Sequence, residues 1–184
     1  YLNSQGSIMN ISRLLSVAPM MERTDRHCRY FFRLLSQQTL LYSEMINANA
    51  ITKGNKTRLL NFSEIEHPLA LQIGGSDPKL LAEATKIGVD WGYDEINLNV
   101  GCPSSRVSSG DFGAVLMKRK DHVAKCVDAM AQFSSNVPIS VKCRIAVDDQ
   151  DPEKILPSFI KTVSNSGVSI FIIQLAIRIP PDRR

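Results

Sequence analysis

Residues 95–114 read EINLNVGCPSSRVSSGDFGA. In the first six, Ile96, Leu98 and Val100 share one face of an extended chain while Glu95, Asn97 and Asn99 share the other, because side chains alternate with period two. A doubly wound open sheet carries helices on both faces, so its strands should be apolar on both. A strand apolar on one side only suits a (β/α) barrel instead, with aliphatics turned to the helices and polar groups turned to an active-site mouth. Two further segments show the same division. Ile139, Val141, Cys143 and Ile145 oppose Ser140, Lys142 and Arg144, and Leu69, Leu71 and Ile73 oppose Ala70 and Gln72.

Outward from this strand, short apolar runs alternate with helical patterns along the whole chain, the rhythm of a parallel sheet built from βαβ units. Strands are predicted at Leu14–Met20, Thr39–Met45, Leu69–Ile73, Glu95–Val100, Ile139–Ile145 and Ser169–Ile173. Helices are predicted at Asp25–Ser36 behind a capping Thr24, Pro78–Trp91, Asp121–Phe133 and Pro152–Ser164, with a short helix within Asn47–Ser63. The fold class is therefore α/β, an incomplete TIM barrel of about six of the eight strand-helix units that a full barrel of about 250 residues contains. Residues 1–13 read as an N-terminal extension, the first eight preceding a natural start suggested by Met9. Residues 14–173 read as the partial barrel domain, and 174–184 (QLAIRIPPDRR) as a divergent tail without a helix pattern. The chain is expected to be a fragment or a prematurely ended product.

The composition narrows the class. With 43% hydrophobic residues among 184, the chain can bury one core, and nothing in it is collagenous or of low complexity. Lys and Arg exceed Asp and Glu by 22 − 18 = 4, a tilt that admits a polyanionic partner but fits an ordinary solvated surface as well. No apolar run approaches the roughly 18 residues of a membrane span. Cys28, Cys102, Cys126 and Cys143 form no CxxC pair and no zinc spacing with the three histidines, so neither a disulfide framework nor a metal site is expected. Reduced thiols in a cytoplasmic protein fit better.

Chemistry in such a barrel belongs at the carboxyl ends of the strands. Met20 ends the first strand behind Ala18-Pro19, Gln72 precedes Gly74-Gly75, Asn97, Asn99 and Cys102 end the fourth strand, and Lys142 and Arg144 lie on the fifth. Read alone, Gln72 is a core amide and the two glycines a turn. A lysine on the inward face of a strand needs an anionic partner or loses its charge, which marks Lys142 as a ligand contact. Cys28, Cys126 and Cys143 read as small packed hydrophobes. Cys102 follows Gly101, precedes Pro103 and opens a loop rich in serine and glycine, which predicts exposure. A thiol with an ordinary pKa near 8.5 is mostly protonated at neutral pH and can donate a proton. His122, the nearest histidine, is expected to face solvent at a helix start.

The segments APMMERTDRHCRYFFR, LQIGGSDP, GYDEINLNVGCPSSRVSSGDFGAVLM, VKCRI and DDQD together resemble the tRNA-dihydrouridine synthase family, most closely one of its bacterial subgroups, from about Leu14 to Ile173. The resemblance implies an oxidoreductase of tRNA processing. FMN would take hydride from NADPH and pass it to the C5=C6 bond of a D-loop uridine. It implies that Cys102 is the acid protonating C5, that Ala18, Pro19, Met20, Gln72 and Lys142 hold the flavin, and that Asn99 contacts the uracil or its ribose. Arg144 and Arg106 would meet substrate, or be surface charges. Arg23, Arg26, Lys53, Lys56 and Arg58 in mouth loops could meet tRNA phosphates. A cytoplasmic monomer without membrane or metal is implied. The match departs at Gln174, where the family pattern has a histidine, and the fragment is expected to lack the family's C-terminal helical tRNA-binding domain. A non-catalytic remnant whose open arc exposes two sheet edges, and another FMN barrel oxidoreductase, remain as alternatives.

Overall fold

The computed structural model describes residues 11–104 and 110–178. Its strands are β1 (Ser16–Val17), β2 (Leu40–Tyr42), β3 (Ile46–Asn47), β4 (Leu69–Gly74), β5 (Glu95–Val100), β6 (Ile139–Val147) and β7 (Ile170–Arg178). All pair in parallel in the order β1-β2-β4-β5-β6-β7, with β3 alongside β4. Helices α1 (Arg26–Leu35), α2 (Ala48–Lys53), α3 (Lys56–Leu60), α4 (Pro78–Trp91), α5 (Lys120–Ala131) and α6 (Pro152–Ser164) connect them, with 3-10 turns at Glu64–Glu66 and Gly113–Lys118.

The sheet divides as its alternation dictates. Leu69, Leu71, Ile73, Ile96, Leu98, Val100, Val141 and Cys143 join one core with Leu81 and Ala84 of α4 and Val123, Cys126 and Met130 of α5. Burying such side chains contributes roughly 1.5–3 kcal/mol each. At Gly88 the helix lies so close that a Cβ would sit 2.7 Å from Leu71 and 2.8 Å from Ile96. The opposite face is polar and bonds across strands. Tyr42 of β2 reaches Glu95 of β5 at 3.0 Å, although β4 lies between them. Neighbouring strands are about 4.8 Å apart, so a bond spanning two steps marks a concave face, the interior of a (β/α) barrel arc.

Helix starts follow their caps. Asp77 and Asp151 accept backbone N–H groups at the heads of α4 and α6, each ahead of a proline at the first helical position. The cap of α1 is Asp25, which accepts the Cys28 N–H at 2.8 Å, whereas Thr24, expected in that role, turns back and its hydroxyl accepts the Met20 N–H at 3.0 Å. The stretch read as Asn47–Ser63 holds two short helices, capped by Asn47 and Asn55.

The strand bounds also change. Only Ser16 and Val17 of Leu14–Met20 find ladder partners, since Pro19 lacks a donor. The expected strand Thr39–Met45 divides in two because the Ser43 hydroxyl takes the N–H of Gln72 at 3.0 Å, in place of a ladder carbonyl. The tail assigned to 174–184 begins as strand. Gln174–Arg178 continue β7 beside a longer β6, across a bulge at Arg144/Ala146. The rest of that tail and residues 1–10 of the extension lie outside the described residues.

Two buried arginines fix α1. Arg29 pairs with Glu66 at 2.6 Å, and Arg33 donates to the carbonyls of Thr39, Glu66 and Pro68. A second anchor joins the loop before β4 to the loop before β5. His67 Nδ1 lies 2.5 Å from Asp94 Oδ2, which also accepts the Leu69 N–H at 2.6 Å. That hydrogen bond outweighs partial burial and raises the imidazole pKa above 6.5. A histidine whose folded pKa is raised stabilises fully below its unfolded value and loses that contribution as pH rises through the folded one. Denaturant unfolding is expected to show stability falling as pH rises above about 6.5. His67→Gln should flatten that dependence and lower stability on the acid side.

Candidate active site

The carboxyl ends of β4, β5 and β6 open onto a cavity of about 970 Å³, lined by Gln72, Asn99, Cys102, Lys142 and Arg144 together with Pro19, Met20 and Gln174. Parallel pairing brings them together. Gln72 lies opposite Asn97, and Asn99 opposite Lys142, so amides and ammonium share the inward row two residues from the Cys102 loop.

Asn99 shapes that loop. Its side-chain oxygen accepts the N–H groups of Gly101 at 3.2 Å and Cys102 at 2.9 Å, turning the chain out of the strand in an Asx-type turn. The Cys102 carbonyl takes the N–H of Ala114 at 2.9 Å, and Arg144 Nε donates to the Gly101 carbonyl at 2.7 Å. Cys102 is thus held from both sides, half-buried against the core yet open to the cavity. Its sequence-predicted exposure is only partial. Cys126 and Cys143 are buried, and burial pushes both thiols up to about 12.

Lys142 is half-buried, and desolvation, followed by the neighbouring Arg144, lowers its pKa. None of the groups that shift it is a carboxylate. A cation held against burial and a like charge would be compensated by an anionic or carbonyl-rich ligand. Arg144 is 8% exposed, which removes the surface-charge reading.

Pro19 and Met20 line the cavity, and the Met20 carbonyl accepts the N–H groups of Arg23 and Thr24. Ala18 is exposed and not among the lining residues, because β1 ends at Val17 and the chain turns away before Pro19. Arg106 lies outside the described residues. His122 does not face solvent. Its Nε2 lies 2.7 Å from the Ser76 carbonyl, tying α5 to the loop before α4. Sequence reasoning did not single out Ser43, Glu44, Met45 and Phe112, which line the cavity too. Nor did it assign a role to Glu95 and Ser140, although the period-two alternation put them on the inward face.

A parallel strand-helix arc with a thiol, an ammonium and paired amides at its carboxyl mouth has the layout in which (β/α) barrels place their active sites. The dihydrouridine synthase family profile matches residues 16–174, and the chain belongs to that family. It is 58% identical over 159 residues to the tRNA-dihydrouridine(20/20a) synthase of Synechocystis sp.. It is 54% identical to that of Xanthomonas campestris and 57% identical to that of Escherichia coli K12. These alignments cover 86% of this chain and 47%, 47% and 46% of the relatives, so the chain spans about half their length.

Since Lys142 is held against burial and a like charge, removing its charge should relieve that cost. Lys142→Met is expected to raise the Tm of the ligand-free chain by about 2–4 °C in a thermal melt while weakening ligand binding.

Proposed function

We propose that this chain carries the catalytic site of a tRNA-dihydrouridine synthase, which reduces the C5=C6 bond of a D-loop uridine with FMN and NADPH. The observation that carries the reading is the convergence of Cys102, Lys142, Gln72 and Asn99 on one cavity in a chain 58% identical to a protein of that name. The donor set suits the group. A flat heterocycle with a carbonyl-rich edge needs N–H donors and a cation beside an apolar wall. Gln72, Asn99 and Lys142 supply the first, Pro19 and Met20 the second. When bound, FMN recharged by NADPH supplies the hydride.

The residues of the chain do the rest. Lys142 would place positive charge where negative charge develops, and Gln72 would fix the polar edge of the ring. Reduction of a C=C bond needs one hydride and one proton. Cys102 would hold that proton on sulfur and give it to C5, breaking S–H as C5–H forms and leaving a thiolate to be reprotonated from water. Asn99 would orient the base as well as the loop, and Arg144 would contact the base or its phosphate. Exposed Arg23, Arg26, Lys53 and Arg58, the last of them lining the cavity, would meet RNA phosphates. The reading carries with it a cytoplasmic monomer. Among the described residues no helix is long and apolar enough to cross a membrane.

The purified chain should bind FMN with a change in flavin absorbance, bleach with NADPH and recover its oxidised spectrum on adding unmodified tRNA. Cys102→Ala is expected to leave NADPH-dependent bleaching within twofold of wild type, roughly, and to slow uridine reduction by about 10²–10⁴. A chain that retains no flavin would overturn the reading for these residues alone, and equal rates of uridine reduction would remove Cys102 from the chemistry.

A further inference from the structure

Beneath the cavity the inward face carries an unbroken row of side-chain hydrogen bonds with one direction. Gly101 and Cys102 donate their N–H groups to Asn99 Oδ1. Asn99 Nδ2 donates to Gln72 Oε1 at 2.8 Å, and Gln72 Nε2 donates to Asn97 Oδ1 at 2.7 Å. Asn97 Nδ2 donates to Ser140 Oγ at 2.7 Å, and Ser140 donates to Glu95 Oε1. Glu95 also accepts from Tyr42 at 3.0 Å and from Arg13 at 2.5 Å. Glu95, Asn97 and Ser140 have no exposure, Gln72 has 1% and Asn99 7%.

The two ends leave no freedom in that direction. A backbone N–H only donates and a carboxylate only accepts, so each amide between them has one admissible orientation. An amide turned round would set donor against donor and oxygen against oxygen in a dry interior, where an unmade bond is costly. The row also fixes what the cavity meets. Asn99 Oδ1 already accepts two hydrogen bonds and Gln72 Oε1 one, so these amides meet a ligand chiefly through their remaining N–H groups.

We propose that Glu95 is a positioning residue for the Cys102 loop. As the acceptor that terminates the row, it sets the polarity of Ser140, Asn97, Gln72 and Asn99, and through Asn99 Oδ1 it holds Cys102 at the cavity. This deepens the function proposed above, in which Cys102 is the acid. Its test uses neither flavin nor RNA, so the two can fail separately.

The experiment is alkylation of the native full chain by iodoacetamide, followed thiol by thiol by peptide mass spectrometry, beside a thermal melt. Ser140→Ala cuts the row, and Cys102 is expected to react about three- to tenfold faster than in wild type. Buried Cys126 and Cys143 should keep their rates and serve as internal standards for global opening. Ser140→Thr, which keeps the hydroxyl, should restore the wild-type Cys102 rate. Glu95→Gln is isosteric, and the Arg13 guanidinium repels its new NH2 group and turns it towards Ser140, where the row needs an acceptor. It too should accelerate Cys102 alone. Glu95→Gln retains the wild-type shape, so the decision does not hinge on the folding of the Ser140 variants. Wild-type Cys102 rates in Glu95→Gln, or acceleration of all thiols together in step with a lowered Tm, would overturn the proposal.

Discussion

A carboxylate without solvent exposure stands at the foot of β5, and the polar interior of the arc depends on how it is satisfied. Glu95 accepts hydrogen bonds from Arg13, Tyr42 and Ser140, contributed by three other parts of the chain. A buried charge without such partners would cost several kcal/mol, so strands that carry polar groups inward must supply each with a bond. The arc meets this demand with a single directed row that ends at the backbone of the Cys102 loop. Polar satisfaction and site construction are the same set of bonds.

That arrangement separates two tasks between the faces of one sheet. The outward face gives stability through aliphatic packing under α4 and α5, close enough at Gly88 to exclude any side chain. The inward face carries amides, a hydroxyl, a carboxylate and two cations that no folding argument favours over hydrophobic residues. Desolvated Lys142 beside Arg144 is the clearest case, since burial and like charge both oppose its protonation. Groups retained against such a cost are candidates for contact with a ligand.

Much of this was legible in the sequence, for stated reasons. The alternation in Glu95–Val100 and Ile139–Ile145 fixed which side chains face inward, because a strand has only two faces. Pro78 and Pro152 behind aspartates marked two helix starts, and both hold to the residue. Cys102 stood out by its Gly-Cys-Pro setting at a strand end. What escaped depends on contacts between distant segments. The division of the second strand hangs on the Ser43 hydroxyl competing with a carbonyl for the Gln72 N–H. The capping role passed from Thr24 to Asp25 because the Thr24 hydroxyl is engaged with Met20. β7 runs on to Arg178 because β6 offers it a partner across a bulge. The inward residues could be counted from sequence, but the direction of their hydrogen bonds could not, since it is set by the partners at both ends.

Native-state hydrogen exchange of the Gly101 and Cys102 backbone amides in the unliganded chain tests the directed row most directly. Both lie outside regular structure, where amides ordinarily exchange at nearly the rate of open chain. The account predicts protection comparable to that of the β5 amides, because Asn99 Oδ1 is locked over them from below. Exchange at loop rates would contradict it, leaving Asn99 free to turn and Glu95 without a hold on the thiol.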